Sequence, residues 1–167
     1  TVTEWYENGS VCEVSENGTD HSPGLPSERL AECFALCSDA VLESRTGDPT
    51  ELALQEFALL AGVSRESANA RKKRCGEIPF DSERRMMTTL HREKGGYVSY
   101  TKGAPDEVIK HCTKIWKNGE AVPMTPADQK QVRQAAEEMS GKALRVLAAA
   151  MREGVSRPAE KGLTFIG

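Results

Sequence analysis

Tyr97-Val98-Ser99-Tyr100-Thr101-Lys102-Gly103-Ala104-Pro105-Asp106-Glu107 is the stretch on which the reading of the whole chain turns. Residues 97–101 are β-branched, aromatic or small, which predicts an extended strand running up to Lys102. Pro105 suits the first position of a helix, because its fixed φ is helical and its missing N–H would have had no partner there. Asp106 and Glu107 then set negative charge at the positive end of the helix dipole. Lys102 therefore sits at a strand-to-helix corner, where Gly103 leaves no side chain between the backbone and whatever approaches it. A cation and bare backbone at one corner suit an anionic or polar ligand. Taken alone, Lys102-Gly103-Ala104-Pro105-Asp106 also reads as a surface lysine beside a turn glycine.

Just upstream, Arg84 to His91 predicts a partner strand, turned back through Glu93-Lys94-Gly95-Gly96. At the N-terminus, Thr1–Tyr6 and Val11–Val14 flank Asn8-Gly9, a hairpin turn pair. Residues 15–25, rich in Ser, Gly, Asn and Pro, read as a loop. Leu30, Cys33, Phe34, Cys37 and Val41 recur at steps of three and four, which predicts one helix over 27–42. A second helix starts at Asp48-Pro49-Thr50-Glu51, where Asp48 can cap the free N–H groups and Glu51 can reach back to the cap. It carries Leu52, Leu54, Phe57 and Ala58 to a stop at Gly62, and a short polar helix follows over 64–74. Beyond the corner helix, Asn118-Gly119 marks a second hairpin and Thr125-Pro126-Ala127-Asp128 a further helix start. The apolar run Ala143–Ala148 predicts a buried strand, and Leu163–Ile166 a last short one. Hairpins interleaved with helices predict an α+β domain on a twisted antiparallel sheet flanked by helices, one domain over 1–167.

A length of 167 residues allows a sizeable core, and 38% hydrophobic with 28% charged residues is ordinary for a folded soluble domain. A net charge of −3 gives no general attraction to nucleic acid or to an anionic membrane, so recognition of an anion has to be local. The run Arg71-Lys72-Lys73-Arg74 reads as a solvated face. No apolar run approaches the roughly 18 residues of a membrane span, and no export signal is present. Five scattered cysteines (12, 33, 37, 75, 112) point to a reducing compartment; Cys33 and Cys37 read as buried helix-face thiols, with a shared metal as the alternative. His21, His91 and His111 lack the spacing of a catalytic or metal set. The glycines match neither a dinucleotide fingerprint nor a Walker loop.

Four separated segments, Gly47-Asp48-Pro49-Thr50-Glu51, Pro79-Phe80-Asp81-Ser82-Glu83-Arg84-Arg85-Met86, Lys102-Gly103-Ala104-Pro105-Asp106 and Leu144-Arg145-Val146-Leu147-Ala148, together resemble the nucleotide-binding domain of P-type cation-transporting ATPases. The resemblance leans toward the calcium-pump branch and its bacterial members. It implies the fold of that domain, a cytoplasmic position within an integral membrane protein, and ATP as ligand. It also implies phosphorylation and actuator domains of the same pump as partners, with no nucleic acid and no membrane insertion of this part. The family's phosphorylated aspartate run and its magnesium segment are absent from these 167 residues. The resemblance therefore implies an excised domain that binds nucleotide without turnover, with Mg2+ arriving on ATP and held mainly elsewhere.

By the same resemblance, Phe80 is the ring on which adenine stacks and Glu51 the acceptor for the adenine amino group. Lys102 meets the nucleotide deep in the pocket, Gly103 lets it come close, and Arg85 and Arg145 contact the phosphates. Arginine's planar fork matches two phosphate oxygens, which suits Arg145 in its otherwise apolar run. Ser82 departs from the pattern of animal calcium pumps, which often place an arginine there, with Arg84 two residues further on. Two other classes stay open from sequence: a stand-alone phosphotransferase or hydrolase using Asp48 or Asp81 with Lys102, and a metal-sensing or interaction module built on Cys33 and Cys37.

Overall fold

The strand that ends in Lys102-Gly103 becomes an interior strand of a seven-stranded sheet, third from one edge. The computed structural model describes residues 1–14 and 24–167, so the loop expected at 15–25 and His21 lie almost wholly outside the described residues. In chain order the elements are β1 (Glu4–Glu7), β2 (Ser10–Glu13), α1 (Glu28–Leu36), α2 (Pro49–Leu59), α3 (Arg65–Arg71), β3 (Arg74–Asp81), β4 (Met86–Glu93) and β5 (Gly96–Gly103). They continue with α4 (Pro105–Lys110), β6 (Cys112–Lys117), β7 (Glu120–Pro123), α5 (Pro126–Gly141), β8 (Ala148–Glu153) and β9 (Leu163–Phe165). The large sheet has the order β3-β4-β5-β8-β9-β6-β7, and β1 and β2 pair apart from it. Every neighbouring pair is antiparallel except β6 with β9. The fold is α+β, as the alternation of hairpins and helices predicts.

Both Asn-Gly hairpins form, with φ of 51° and 80° at Asn8 and Gly9 and 50° and 83° at Asn118 and Gly119. These positive values are the ones the tight turn demands. Thr125 and Asp128 close a full capping box at the start of α5, with Pro126 at its first turn. Three expectations shift. The first helix ends at Leu36 with Cys37 as its cap, and Val41 lies instead in an isolated bridge to Thr46. The strand expected from Arg84 starts at Met86, because Asp81 Oδ1 accepts from the N–H of Glu83 and Arg84 and bends the chain, with Arg85 at φ 58°. The strand expected over Ala143–Ala148 starts only at Ala148, since Ala143 at φ 60° is still closing α5.

Sheet faces are set by the alternation along the central strands. On one side α1 and α2 pack Phe34, Leu54 and Phe57 with Met87, Val98, Tyr100, Ala149 and Met151. On the other side α4 and α5 pack Val108, Ile109, Val132 and Met139 with Met86, Ala148, Ala150 and Phe165. The run Ala148-Ala149-Ala150 thus serves both layers, its small side chains letting helices approach the sheet from either face.

His91 on β4 is fully buried against Tyr100. Its Nδ1 lies 3.1 Å from the Lys72 carbonyl, which can only accept, so Nδ1 carries the proton and Nε2 accepts from Thr89 Oγ1 at 2.8 Å. Burial pushes its pKa down to about 4, helped by the nearby charges of Arg74 and Lys72 and opposed by the bond to the Lys72 carbonyl. A base that is neutral when folded, against an ordinary value of 6.5, binds fewer protons than in the unfolded chain between pH 6.5 and 4. Stability should therefore fall as pH drops through that window, by up to about 1.4 kcal/mol per pH unit from this residue. Urea unfolding at a series of pH values should show a flatter slope there for His91→Gln than for the parent; equal slopes would remove His91 as the cause.

Candidate functional site

The corner is built at one end of the central strands. Gly103 pairs with Met86 on one side and Ala148 on the other, and in the next row Lys102 pairs with Met87 and Ala149. Arg85 immediately precedes Met86, and Arg145 lies three residues before Ala148, so both arginines are carried at this same sheet end. The N-terminus of α2 arrives over it. Asp48 caps that helix by accepting from the N–H of Thr50 at 2.7 Å and Glu51 at 3.3 Å. Burial opposes its charge, but those N–H groups and the nearby Arg145 prevail and hold its carboxyl below the usual value.

Glu51 does not reach back to the cap as the capping-box reading expects. Its Oε2 accepts from the backbone N–H of Asp39 and Ala40, both at 3.0 Å, and its Oε1 accepts from Lys102 Nζ at 2.7 Å. The side chains are 15% and 7% exposed, so the pair is largely withdrawn from water. Beneath them, the thiols of Cys33 and Cys37 donate to carbonyls of the central strands, to Thr101 at 3.7 Å and to Met87 at 3.6 Å. Burial pushes both thiols up, against the pull of the Lys102 charge. They are buried helix-face thiols, and among the described residues no group of three or more His, Cys, Asp or Glu is placed to hold a metal.

Phe80 stands at a bulge. Ile78 pairs with Thr88 and Asp81 with Met86, so Pro79 and Phe80 share the span across from Met87, the residue that itself faces Lys102. Phe80 is 64% exposed, a large apolar residue left to solvent. Arg85 pairs with Asp106 at 3.2 Å, both half-exposed. Arg84 is engaged differently: it forks onto Glu160 and also donates to the carbonyls of Pro79 and Met86. Among the described residues Arg145 has no ion-pair partner, and it is exposed. Gly103 is required by its neighbours, since a Cβ there would lie 2.5 Å from the Arg85 carbonyl oxygen and 2.8 Å from Met86 Cα. Asp48 and Asp81 each use Oδ1 to accept from helix or turn N–H groups, and both serve the backbone geometry of this end.

The structure thus joins Glu51 to Lys102 directly, sets Gly103 beside them and Arg145 at the start of α2, and carries Phe80 and Arg85 on the turn at the same sheet end. The residues that sequence reasoning missed are the N–H groups of Asp39 and Ala40 and the carboxylate of Glu160. Their partners lie 12, 11 and 76 positions away, and no local motif marks them. A separate apolar cavity of about 370 Å3 lies between β1, α2 and α5; it shares Thr50 and Arg145 with this rim but is not lined by Phe80, Glu51 or Lys102.

These features define an α+β domain with a charged, ring-bearing rim at one end of its sheet. The chain belongs to the P-type ATPase family as its cytoplasmic domain N, whose family profile matches residues 26–167. It is 37% identical over its whole length to calcium-transporting ATPase 1 of Bacillus cereus and covers 19% of that protein. It is also 36% identical, over 89% of its length, to a calcium-transporting ATPase of Listeria monocytogenes, covering 17% of it. Over 88% of its length it is 31% identical to the sodium/potassium-transporting ATPase subunit alpha of Hydra vulgaris. The chain thus spans less than a fifth of the length of the relatives it matches.

Two substitutions test the geometry of the rim. Gly103→Ala forces its Cβ into the Arg85–Met86 backbone and should cost about 1–3 kcal/mol in urea unfolding. Glu51→Ala strands a buried ammonium and two N–H groups, and should cost on the order of 3 kcal/mol. A Glu51→Ala protein as stable as the parent would show that the carboxylate holds nothing in place.

Proposed function

We propose that this domain binds ATP at the Lys102 corner and presents it to a phosphorylation domain of the same cation pump, a calcium-transporting one, on the cytoplasmic side of its membrane. The observation that carries the reading is the convergence on one sheet end of an exposed ring, a largely buried acid–lysine pair and an arginine with no ion-pair partner among the described residues. Phe80 offers the face on which adenine stacks. Glu51, held by Asp39 and Ala40, offers an acceptor for the adenine amino group, and Lys102 meets the nucleotide from below. Arg145 contacts the phosphate chain, and Arg85 joins it by exchanging Asp106 for phosphate. A half-exposed pair of that kind is worth about 0–1 kcal/mol, so the exchange is cheap.

The residues at this end suit the organic and anionic parts of ATP, and Mg2+ comes with the phosphates and is held mainly outside this chain; among the described residues no group of three or more His, Cys, Asp or Glu is placed to hold a metal. Binding energy gained at the adenine end fixes the position of the γ-phosphate for in-line transfer to an aspartate on the phosphorylation domain. The domain supplies grip and reach, and the nucleophile comes from elsewhere. Membership of the family and the similarity to calcium-transporting ATPases support this assignment of partner and ion. Among the described residues no helix is long and apolar enough to cross a membrane.

Titration of the purified chain with ATP, followed by amide NMR, should give saturable shifts around Phe80, Lys102 and Arg145. The expected Kd is in the high micromolar to millimolar range, roughly 4 to 6 kcal/mol of binding. Phe80→Ala should weaken binding by about 1–3 kcal/mol without altering stability, because the ring is exposed. A flat titration, or shifts confined to another face, would dismiss the proposal.

A further inference from the structure

The turn that carries Phe80 is not held by its own hairpin alone. Arg84 Nη2 donates to the Pro79 carbonyl and to the Met86 carbonyl, both at 2.9 Å, and so ties the residue before the ring to the first residue after the turn. The same guanidinium is fixed by Glu160, with Nε to Oε2 at 3.1 Å and Nη2 to Oε1 at 3.2 Å. Glu160 is anchored in turn, its Oε1 accepting from Thr88 Oγ1 at 2.9 Å, while Thr88 shares a 2.8 Å hydrogen bond with Thr101, the residue before Lys102. The segment bearing Glu160 is itself stitched to β5, where Ser99 Oγ bonds both the N–H and the carbonyl of Ala159. A chain of polar contacts thus runs from the strand that carries the lysine, through Glu160 and Arg84, to the backbone on both sides of the exposed ring. The Glu160 side chain is 14% exposed and that of Arg84 31%, so the fork is partly shielded from water, where a two-point charged contact keeps its directionality.

We infer that Arg84 and Glu160 are positioning residues for the adenine stack. They clamp the β3–β4 turn so that Phe80, at a bulge with few side-chain contacts of its own, is held at a fixed height over Lys102. This rests on the nucleotide reading above and assigns that site two residues which touch no part of the ligand. It also explains how Arg84 is used here: its Nε and Nη2 donors are engaged by Glu160 and by backbone carbonyls, so swinging the side chain out to stand in for the arginine that Ser82 replaces would break the clamp.

The test compares ATP binding by the full chain in four proteins: the parent, Glu160→Gln, Phe80→Ala and the double variant, with Arg84→Lys as a second probe of the fork. Glu160→Gln and Arg84→Lys should each weaken ATP about threefold or more, a part of the stacking contribution. In the Phe80→Ala background, Glu160→Gln should add nothing, because the clamp acts through the ring. The spectroscopic signature is separate from folding. The upfield ring-current shift of the adenine H2 and H8 protons should shrink in Glu160→Gln, while the 31P shifts of the phosphates persist. If the parent binds ATP but Glu160→Gln binds equally well, or loses the same factor with and without Phe80, the clamp is refuted and the nucleotide site stands. If the parent itself does not bind, both readings fall together.

Discussion

Withdrawing an ammonium from water is costly unless an anion meets it, and the fold is arranged to meet the ammonium of Lys102. The partner comes from α2, 51 positions earlier in the chain, and its second oxygen pins the N–H groups of Asp39 and Ala40. One carboxylate therefore fixes the relation of three pieces: the interior strand β5, the first turn of α2, and the connection leading into it. Such a pair adds little to stability compared with apolar packing, yet losing either member leaves a buried charge behind. Its value is positional. It decides where the start of α2, with Asp48 and the neighbouring Arg145, stands relative to the end of the sheet.

The sheet end itself is shaped by close approach. Gly103 has no room for a side chain because β4 begins against it, and the alanines of β8 keep the next strand thin enough for helices on both faces. With the interior so tightly filled, the groups left to solvent on this rim include an aromatic ring and cations, beside carboxylates such as Asp81 and Asp106. The ring and the cations are also the groups that a base and a phosphate chain would meet. A scaffold of this kind leaves its binding chemistry on turns and helix starts, which a rigid sheet then holds in register.

How much of this could be read from the chain alone depends on the range of each interaction. The Asn-Gly hairpins, the Thr125–Asp128 capping box and the cap at Asp48 involve neighbours in sequence, and they are present as expected. The strand β3 was not legible, since it is an edge strand with Pro79 at a bulge, and Glu77, Phe80 and Asp81 along it are exposed, so the apolar alternation is faint. The periodicity extends the first helix too far, because Val41 keeps the helical step by coincidence while the backbone has already turned. The spacing at Asp48 and Glu51 equally allows a capping box, which the fold does not use. The competing partners, Lys102 and the N–H groups at 39 and 40, become visible only once the strand and the helix meet. The convergence of the site residues was legible through the resemblance to a family, not through any single spacing.

The arginines show why proximity alone does not make a phosphate contact. Arg84, Arg85 and Arg145 all lie at the same end of the sheet, but they differ in what they would have to give up. Arg84 would forfeit a fork to a shielded carboxylate and two carbonyls, which together hold the Phe80 turn. Arg85 would release only a half-exposed pair with Asp106, a contact of small worth in water. Arg145 is exposed beside the helix start, and among the described residues it breaks no ion pair to reach an incoming anion. Since only the surplus over existing contacts appears as affinity, the order of use follows from the order of these costs. On the nucleotide reading proposed above, Arg145 would be the first cation to engage, Arg85 the second, and Arg84 would stay with the fold.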